Sequence, residues 1–523
     1  MTRAGLACGL CAVVLAGGGF PSASQRPPVV APPAGAFALE EATISRIHAA
    51  FASGRLTCVQ LVQMYVSRIE GYDHKGPALN AILRVNPRAL ETAADMDRMD
   101  AGARARRPLH CVPVIVKDNY NTSDMPTTGG SVTLARSSPS GDAFVVKRLR
   151  QAGALILAKS NLTELARGGT TVSSLGGQTR NPYDLTRTPG GSSGGTGAAI
   201  AANFAILGTG SDTGQSIRSP ASAQSLVGLR PTRGLVSRDG IIPYSTTQDE
   251  AGPIVRTVED AARMLDAIAG YDPADPITAF GVSRIPASYT ASLERDGLRG
   301  ARIGALMNFF GKDAVHREVN AVMETAIGTL TRAGATIVRV NIANLDALTR
   351  DLDLGAFEFK AAFNRYLAGL GHAAPVKTLD EFLARGEFHP SLKAGLEIAQ
   401  KAGVGDAEYR TRVLRRLELR QAVMTAMADH RLNAIAYPHQ RRLVASIGEE
   451  QLERNGVLSN GTGFPAITIP GGFSAPTSSA PIGVPIGLEL LGPEWSEPML
   501  ITLAYAFEQS AQIRRPPVST SSK

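Results

Sequence analysis

Lysine is nearly missing from this chain: 54 basic residues over 523 positions divide into 10 Lys and 44 Arg. A lysine placed inside the fold therefore asks for an explanation. Cysteine is scarcer still, with four in all, and Cys8 and Cys11 fall in an N-terminal stretch expected to be removed. The remaining pair, Cys58 and Cys111, sits among apolar neighbours and reads as two small buried hydrophobes rather than a disulfide framework. The eight histidines show no pair at metal-ligand spacing and no CxxC follows the leader, so no metal and no cofactor is expected. Runs of five or six basic residues are also missing, which leaves the net charge of +8 without a nucleic-acid footprint. With 19% charged and 44% hydrophobic residues, the chain is too apolar for disorder and too evenly mixed for a polytopic membrane protein.

What is present begins with a leader. Arg3 precedes an apolar stretch over residues 4–20, followed by Pro21-Ser22-Ala23-Ser24-Gln25 with small residues before the expected cut. This pattern is that of a cleavable secretory signal over residues 1–24, leaving no stable membrane span and predicting a secreted or periplasmic protein. A proline-rich linker over 25–38 leads into the folded part, and a Ser-rich flexible tail is expected over 516–523.

Between them the periodicity is that of an α/β protein. Thr57 and Gln60 form a capping box ahead of Val59, Leu61, Val62, Tyr65, Val66 and Ile69 at helical spacing. Residues 112–116 and 154–158 read as buried strands around a helix over 143–152, and the apolar segment 198–207 as a buried helix. A βαβ unit is expected over 301–306, 314–333 and 335–342. Residues 345–450 read as mainly helical and without a chemical motif, and strands at 465–470 and 485–491 precede a helix over 497–512.

The chemistry-bearing residues cluster in three segments: Val114-Ile115-Val116-Lys117-Asp118-Asn119, the Gly/Ser loop 190–197, and Gly208 through Pro220 with Asp212-Thr213-Gly214-Gln215-Ser216-Ile217-Arg218. Lys117 ends an apolar strand, and a lysine drawn into a dry site loses its preference for the charged form and can act as a base near neutral pH. The loop has competing readings. It is followed at once by a buried-looking helix, which argues against a flexible linker. It lacks the Gly-Lys-Ser/Thr ending of a phosphate cradle. Gly190-x-Ser192-x-Gly194 matches a nucleophile elbow only formally, since residues 186–189 make a poor strand and no Asp/His pair follows. No lysine has a serine three positions before it, which removes a Ser-x-x-Lys site.

In order and spacing, these segments resemble the amidase signature family, with its lysine after a hydrophobic strand, GGSSGG loop and TDTGGSIR-like turn. Supporting segments are Lys159 through Leu165, Asn181-Pro182-Tyr183-Asp184, Gly228 through Thr232 and Gly463-Phe464-Pro465-Ala466. The resemblance spans residues 40–515. It implies one amidase domain over 39–515, a central mixed β-sheet covered by helices on both faces, with 345–450 as a helical insertion walling the substrate pocket. It further implies Ser216 as nucleophile, Ser192 as bridging serine in a cis peptide, and Lys117 as neutral base. The oxyanion hole falls to the N–H groups of Thr213, Gly214, Gln215 and Ser216. Gly191, Ser193, Asn119, Asp212 and Arg218 are supporting groups, the last two as an ion pair or through hydrogen bonds. Gln215 departs from the family's usual glycine, and its side chain is expected to face the acyl pocket. The implied activity is hydrolysis of aryl or acyl amides, extending to esters and to carbamates such as urethanes, the chain being similar also to urethane-cleaving amidases. The partner is then a small-molecule amide or carbamate, and the protein a monomer or homodimer. Two alternatives stand beside this: the glutamine-hydrolysing component of a tRNA-dependent amidotransferase, and a non-catalytic binding scaffold.

Overall fold

The computed structural model describes residues 1–2 and 37–521. Apart from residues 1–2, the leader, and with it nearly all of the linker, lies outside the described residues. An eleven-stranded mixed sheet organises the rest, in the spatial order Ile82–Val85, Leu155–Ser160, Pro113–Lys117, Leu207–Asp212, Glu250–Val255, Val227–Arg230, Ala466–Phe473, Pro485–Leu491, Ala434–Pro438, Arg302–Leu306 and Thr336–Val340. Pro113–Lys117 runs parallel to both its neighbours, whereas Leu207–Asp212 is antiparallel to Glu250–Val255. Successive strand residues point to opposite faces. Every residue of the Pro113–Lys117, Leu155–Ser160, Leu207–Asp212 and Pro485–Leu491 strands is buried, so both faces of the sheet are covered there.

The helix expected from the capping box forms over Cys58–Tyr72, after a first helix Ile44–Ala52, with Thr57 and Gln60 exchanging side-chain and backbone hydrogen bonds. The expected βαβ unit is present as Arg302–Leu306, Arg317–Arg332 and Thr336–Val340, its strands parallel. Two expectations change. Residues 198–207 are not one helix: Gly194–Ala201 ends before Asn203, which is left-handed at φ 60, and Leu207 opens a strand. That strand holds two glycines because nothing larger fits; a Cβ on Gly208 would lie 2.4 Å from Thr196 Cγ2, and one on Gly210 2.7 Å from Ile217 Cγ1. Within 345–450, helices Gly355–Leu370, Leu379–Arg385, Lys393–Lys401 and Ala407–Asp429 are followed by the strand Ala434–Pro438, which enters the main sheet.

The cysteine reading is corrected. Cys58 and Cys111 are joined by a disulfide, with their Cα atoms 5.8 Å apart. Both are buried, as apolar neighbours predicted, but the turn at Cys111, left-handed at φ 53, aims it at the start of helix Cys58–Tyr72. Residues 516–521, expected as a flexible tail, lie against the body: the Tyr72 hydroxyl donates to the Ser521 carbonyl at 3.2 Å and the Ser519 hydroxyl to that of Pro182 at 2.5 Å. No described helix is long and apolar enough to cross a membrane.

Candidate active site

Lys117 is the last residue of a strand whose Val-Ile-Val run is buried on both faces, and the strand carries the lysine into the interior at 0% exposure. Ser192 sits in the glycine loop that feeds helix Gly194–Ala201, and the Gly191–Ser192 peptide bond is cis. Position 191 admits no side chain, since a Cβ there would lie 2.8 Å from the Gly169 carbonyl carbon and 2.9 Å from Thr171 Oγ1. Ser216 lies between strand Leu207–Asp212 and helix Arg218–Ala223.

The three converge. Lys117 Nζ is 2.8 Å from Ser192 Oγ, 2.8 Å from Ser211 Oγ and 3.3 Å from the Ser211 carbonyl oxygen. Burial pulls its ammonium down to about 7, opposed by the nearby carboxylates of Asp212 and Asp249. A second buried lysine gives the contrast: Lys159 Nζ meets the Asp118 carboxylate at 2.9 Å and donates to the Tyr120 carbonyl at 2.9 Å, the setting of a structural ion pair. Ser216 is tied to the glycine loop through its backbone, the Ser193 N–H donating to its carbonyl at 3.3 Å. Among the described residues no hydrogen bond joins the Ser216 and Ser192 hydroxyls; such contacts commonly tighten only when substrate is bound. The N–H groups of Thr213, Gly214, Gln215 and Ser216 donate to no protein acceptor among the described residues, which leaves them available to an oxyanion.

Arg218 Nε donates to Asp212 at 3.1 Å, both fully buried, and Asp212 also accepts the Ile217 N–H at 3.0 Å, which fixes the turn carrying Ser216. Asn119 Nδ2 donates to Ser211 Oγ at 3.0 Å, and the Ser193 hydroxyl to the Ser211 carbonyl at 3.4 Å. Gln215 is not turned into an acyl pocket as expected. Its side chain is 7% exposed and packs against Gly456 and His439, and its φ is not positive, so a side chain is borne there without strain.

Sequence reasoning missed Ser211, Asp249 and the pair His439–Glu489. Strand alternation could have found Ser211, which lies beside Asp212 and so faces opposite to it, toward Lys117. Asp249 accepts the Thr213 hydroxyl at 2.5 Å, a contact set by folding alone. Glu489 lies between Arg218 at 2.6 Å and His439 Nδ1 at 2.5 Å, 271 and 50 residues away in sequence. Burial is the largest single influence and works against its charge, but the Arg218 guanidinium together with the contacts from His439 and Tyr437 outweighs it and holds the carboxyl down at about 2. A cavity of about 470 Å³ opens beside the site, with Asn119, Ser211 and Thr213 on one wall and Ala362, Tyr366 and Leu370 of helix Gly355–Leu370 on another. Among the described residues no cluster of His, Cys, Asp or Glu is arranged to hold a metal ion.

Known proteins share both fold and sequence with this chain. The family model described as Amidase matches residues 60–501. A probable amidase of Arabidopsis thaliana is 36% identical over 505 residues, spanning 92% of each chain. A glutamyl-tRNA(Gln) amidotransferase subunit of Exiguobacterium is 35% identical over 484 residues, covering 89% of this chain and 97% of that one. The native peptide amidase from Stenotrophomonas maltophilia superposes with a TM-score of 0.82 at 38% identity, over 92% of this chain and 99% of the other. The class these define is an amidohydrolase, an α/β enzyme acting on small-molecule amides. Within that class, the chain belongs to the amidase family, with the amidase signature fold.

Proposed function

We propose that this protein hydrolyses linear carboxylic amides through an acyl-enzyme on Ser216, with Ser192 relaying protons and Lys117 as neutral base. The observation that carries the reading is the 2.8 Å contact of Lys117 Nζ with Ser192 Oγ, at a site where burial brings the amine near neutrality. A neutral amine has two N–H donors and one lone pair. The two donors suit the hydroxyl and carbonyl oxygens of Ser211, and the lone pair then faces the Ser192 hydroxyl. In acylation Ser192 gives its proton to Lys117 and takes that of Ser216, whose Oγ bonds to the substrate carbonyl carbon. The oxyanion lies against the N–H groups of Thr213, Gly214, Gln215 and Ser216, donors worth roughly 3–4 kcal/mol apiece in such sites. The C–N bond breaks as the proton returns from Lys117 through Ser192 to the leaving nitrogen. Water repeats the path on the ester, which offsets the weakness of a serine nucleophile by an adjacent base.

Aryl and acyl amides are the proposed substrates, because the wall from helix Gly355–Leu370 sets Ala362, Leu370 and the Tyr366 ring against the cavity. Esters and carbamates, urethanes among them, ask for the same attack on a carbonyl and belong to the same proposal, as does the amide of a peptide, given the likeness to a peptide amidase. The leader read from the sequence supports a secreted or periplasmic enzyme, which we propose acts as a monomer or homodimer. A glutamine-hydrolysing amidotransferase component is the second reading, supported by the relative from Exiguobacterium. It requires partner chains, and full amidase activity of this chain purified alone would speak against it.

Assay of the purified protein against anilides, primary amides, esters and carbamates tests the reading. Release of amine or ammonia that disappears in Ser216→Ala, with circular dichroism unchanged, is expected. Undiminished turnover in that variant would falsify the assignment of Ser216.

A further inference from the structure

The turn that carries Ser216 is gripped from outside by a side chain that the reaction itself does not use. With its amide oriented to satisfy its neighbours, Gln215 accepts from Arg454 through its oxygen, at 2.6 Å from Nη1 and 2.7 Å from Nε, and its nitrogen donates to His439 Nε2 at 3.3 Å. His439 is wholly buried and its Nδ1 lies 2.5 Å from Glu489, which also accepts from the Tyr437 hydroxyl at 2.8 Å and from Arg218 at 2.6 Å. Arg218 closes the circuit by donating to the Gly214 carbonyl at 2.8 Å and to Asp212. The residue before the nucleophile and the carbonyl before that are thus both tied to one buried network.

The two anchors are themselves fixed to each other. The Asn455 N–H donates to the His439 carbonyl at 2.9 Å, the Arg441 N–H to that of Glu453 at 3.0 Å, and Gln440 and Arg454 form a bridge. Gly456 leaves the room the contact needs, since a Cβ there would lie 2.7 Å from Gln215 Cβ and 2.9 Å from His439 Cε1. Donor and acceptor counting then sets the protonation. Arg454 offers donors alone, so the Gln215 oxygen must face it and the NH₂ must face His439. Nε2 must therefore accept, which places the ring proton on Nδ1, donated to Glu489. Reversing the amide would set NH₂ against a guanidinium.

We propose that Gln215 is a positioning residue for the nucleophile, its amide clamped between Arg454 and the neutral Nδ1–H tautomer of His439 so as to seat Ser216. This rests on Ser216 being the acyl-accepting serine. A glycine at 215 could not make this clamp, so the departure from the family's usual residue comes with its own partners. The titratable and charged groups about the His439 ring are Glu489 and Arg218 on one side, Tyr437 on the strand Ala434–Pro438 that leads into it, and Arg454 across Gln215.

The test uses the whole protein, an aryl fluorophosphonate as covalent probe, and anilide hydrolysis in parallel. Absence of label on Ser216 in the unaltered protein would remove the nucleophile assignment itself. Where Ser216 is labelled, Q215A is expected to lower both kcat and the labelling rate by roughly 10²-fold with KM little changed, the scale of a small misplacement of a reacting group. Q215E keeps the size and the acceptor for Arg454, but sets a carboxylate oxygen against the Nε2 lone pair unless the ring takes a proton. Its kcat is therefore expected to gain a falling limb on the alkaline side that the unaltered protein lacks. Rates within twofold of the unaltered protein in Q215A, or an unchanged pH profile in Q215E, overturn the proposal. If Q215A does not fold, as judged by its melting curve, Q215E decides alone.

Discussion

Lys117 and Lys159 are both fully buried, and their neighbours divide their tasks. Lys159 faces a carboxylate, whereas Lys117 faces hydroxyl and carbonyl oxygens that leave its amine able to lose a proton near pH 7. With Lys117 as the proposed base the acting form is the neutral one, so kcat/KM is expected to rise with pH through about 7 and level above it; a profile flat from pH 5 to 9 would exclude Lys117 as the base. Lys117→Arg keeps a cation but cannot release a proton at working pH, and is expected to lower kcat by about 10²–10⁴-fold, read in the same assay. Lys117, Ser192 and Ser216 stand out as candidates in the sequence because each lies in a local pattern of unusual residues. Several of the groups around them do not. Ser211 reads as one polar residue in a glycine-rich strand, and His439 as a lone histidine until folding sets it against Glu489 and Gln215.

At the scale of elements, the glycine loop and its helix are packed as tightly as backbone allows. A Cβ on Gly195, at the start of helix Gly194–Ala201, would lie 2.2 Å from the Asn161 carbonyl oxygen and 2.8 Å from that of Ala81. Neither is a side chain that can swing aside. Gly195→Ala should therefore cost at least about 1–3 kcal/mol and lower the melting temperature, whereas Gly403→Ala, with open space around it, should leave it unmoved. The pair Arg218–Glu489 joins helix Arg218–Ala223 to strand Pro485–Leu491. Glu489 ionises at about 2 in the fold against an ordinary 4.5, so its charge contributes stability above about 4.5 that is lost as pH falls toward 2. Melting curves of Glu489→Gln should show a lower midpoint at pH 7 and a shallower fall across that acid window than the unaltered protein. Helices with caps and alternating burial were readable from sequence. The strand Leu207–Asp212 was not, because in Gly-Thr-Gly-Ser only Thr209 has the β-branched bulk by which strands announce themselves.

For the molecule as a whole, sequence pointed to a mixed α/β fold but not to the order of its eleven strands, which is set by contacts across hundreds of residues. The disulfide belongs to this scale. Two isolated cysteines 53 positions apart carry no spacing signal, and only the fold brings helix Cys58–Tyr72 to the turn before strand Pro113–Lys117. The bridge ties the first helices to the strand that bears Lys117. Closing a loop of that length removes unfolded-state entropy worth roughly 4 kcal/mol, an upper figure when native packing is unchanged. The cysteines are buried and lie at the opposite end of strand Pro113–Lys117 from the lysine, so the geometry of the site is not expected to depend on the bridge. Cys58→Ala with Cys111→Ala should accordingly melt several degrees lower while kcat/KM at 25 °C stays within about twofold, and dithiothreitol should lower the midpoint of the unaltered protein but not that of the double variant. An equal midpoint in both proteins under oxidising conditions would mean that the bridge contributes nothing to stability, and a matching loss of kcat would mean that the strand needs it to hold Lys117 in place.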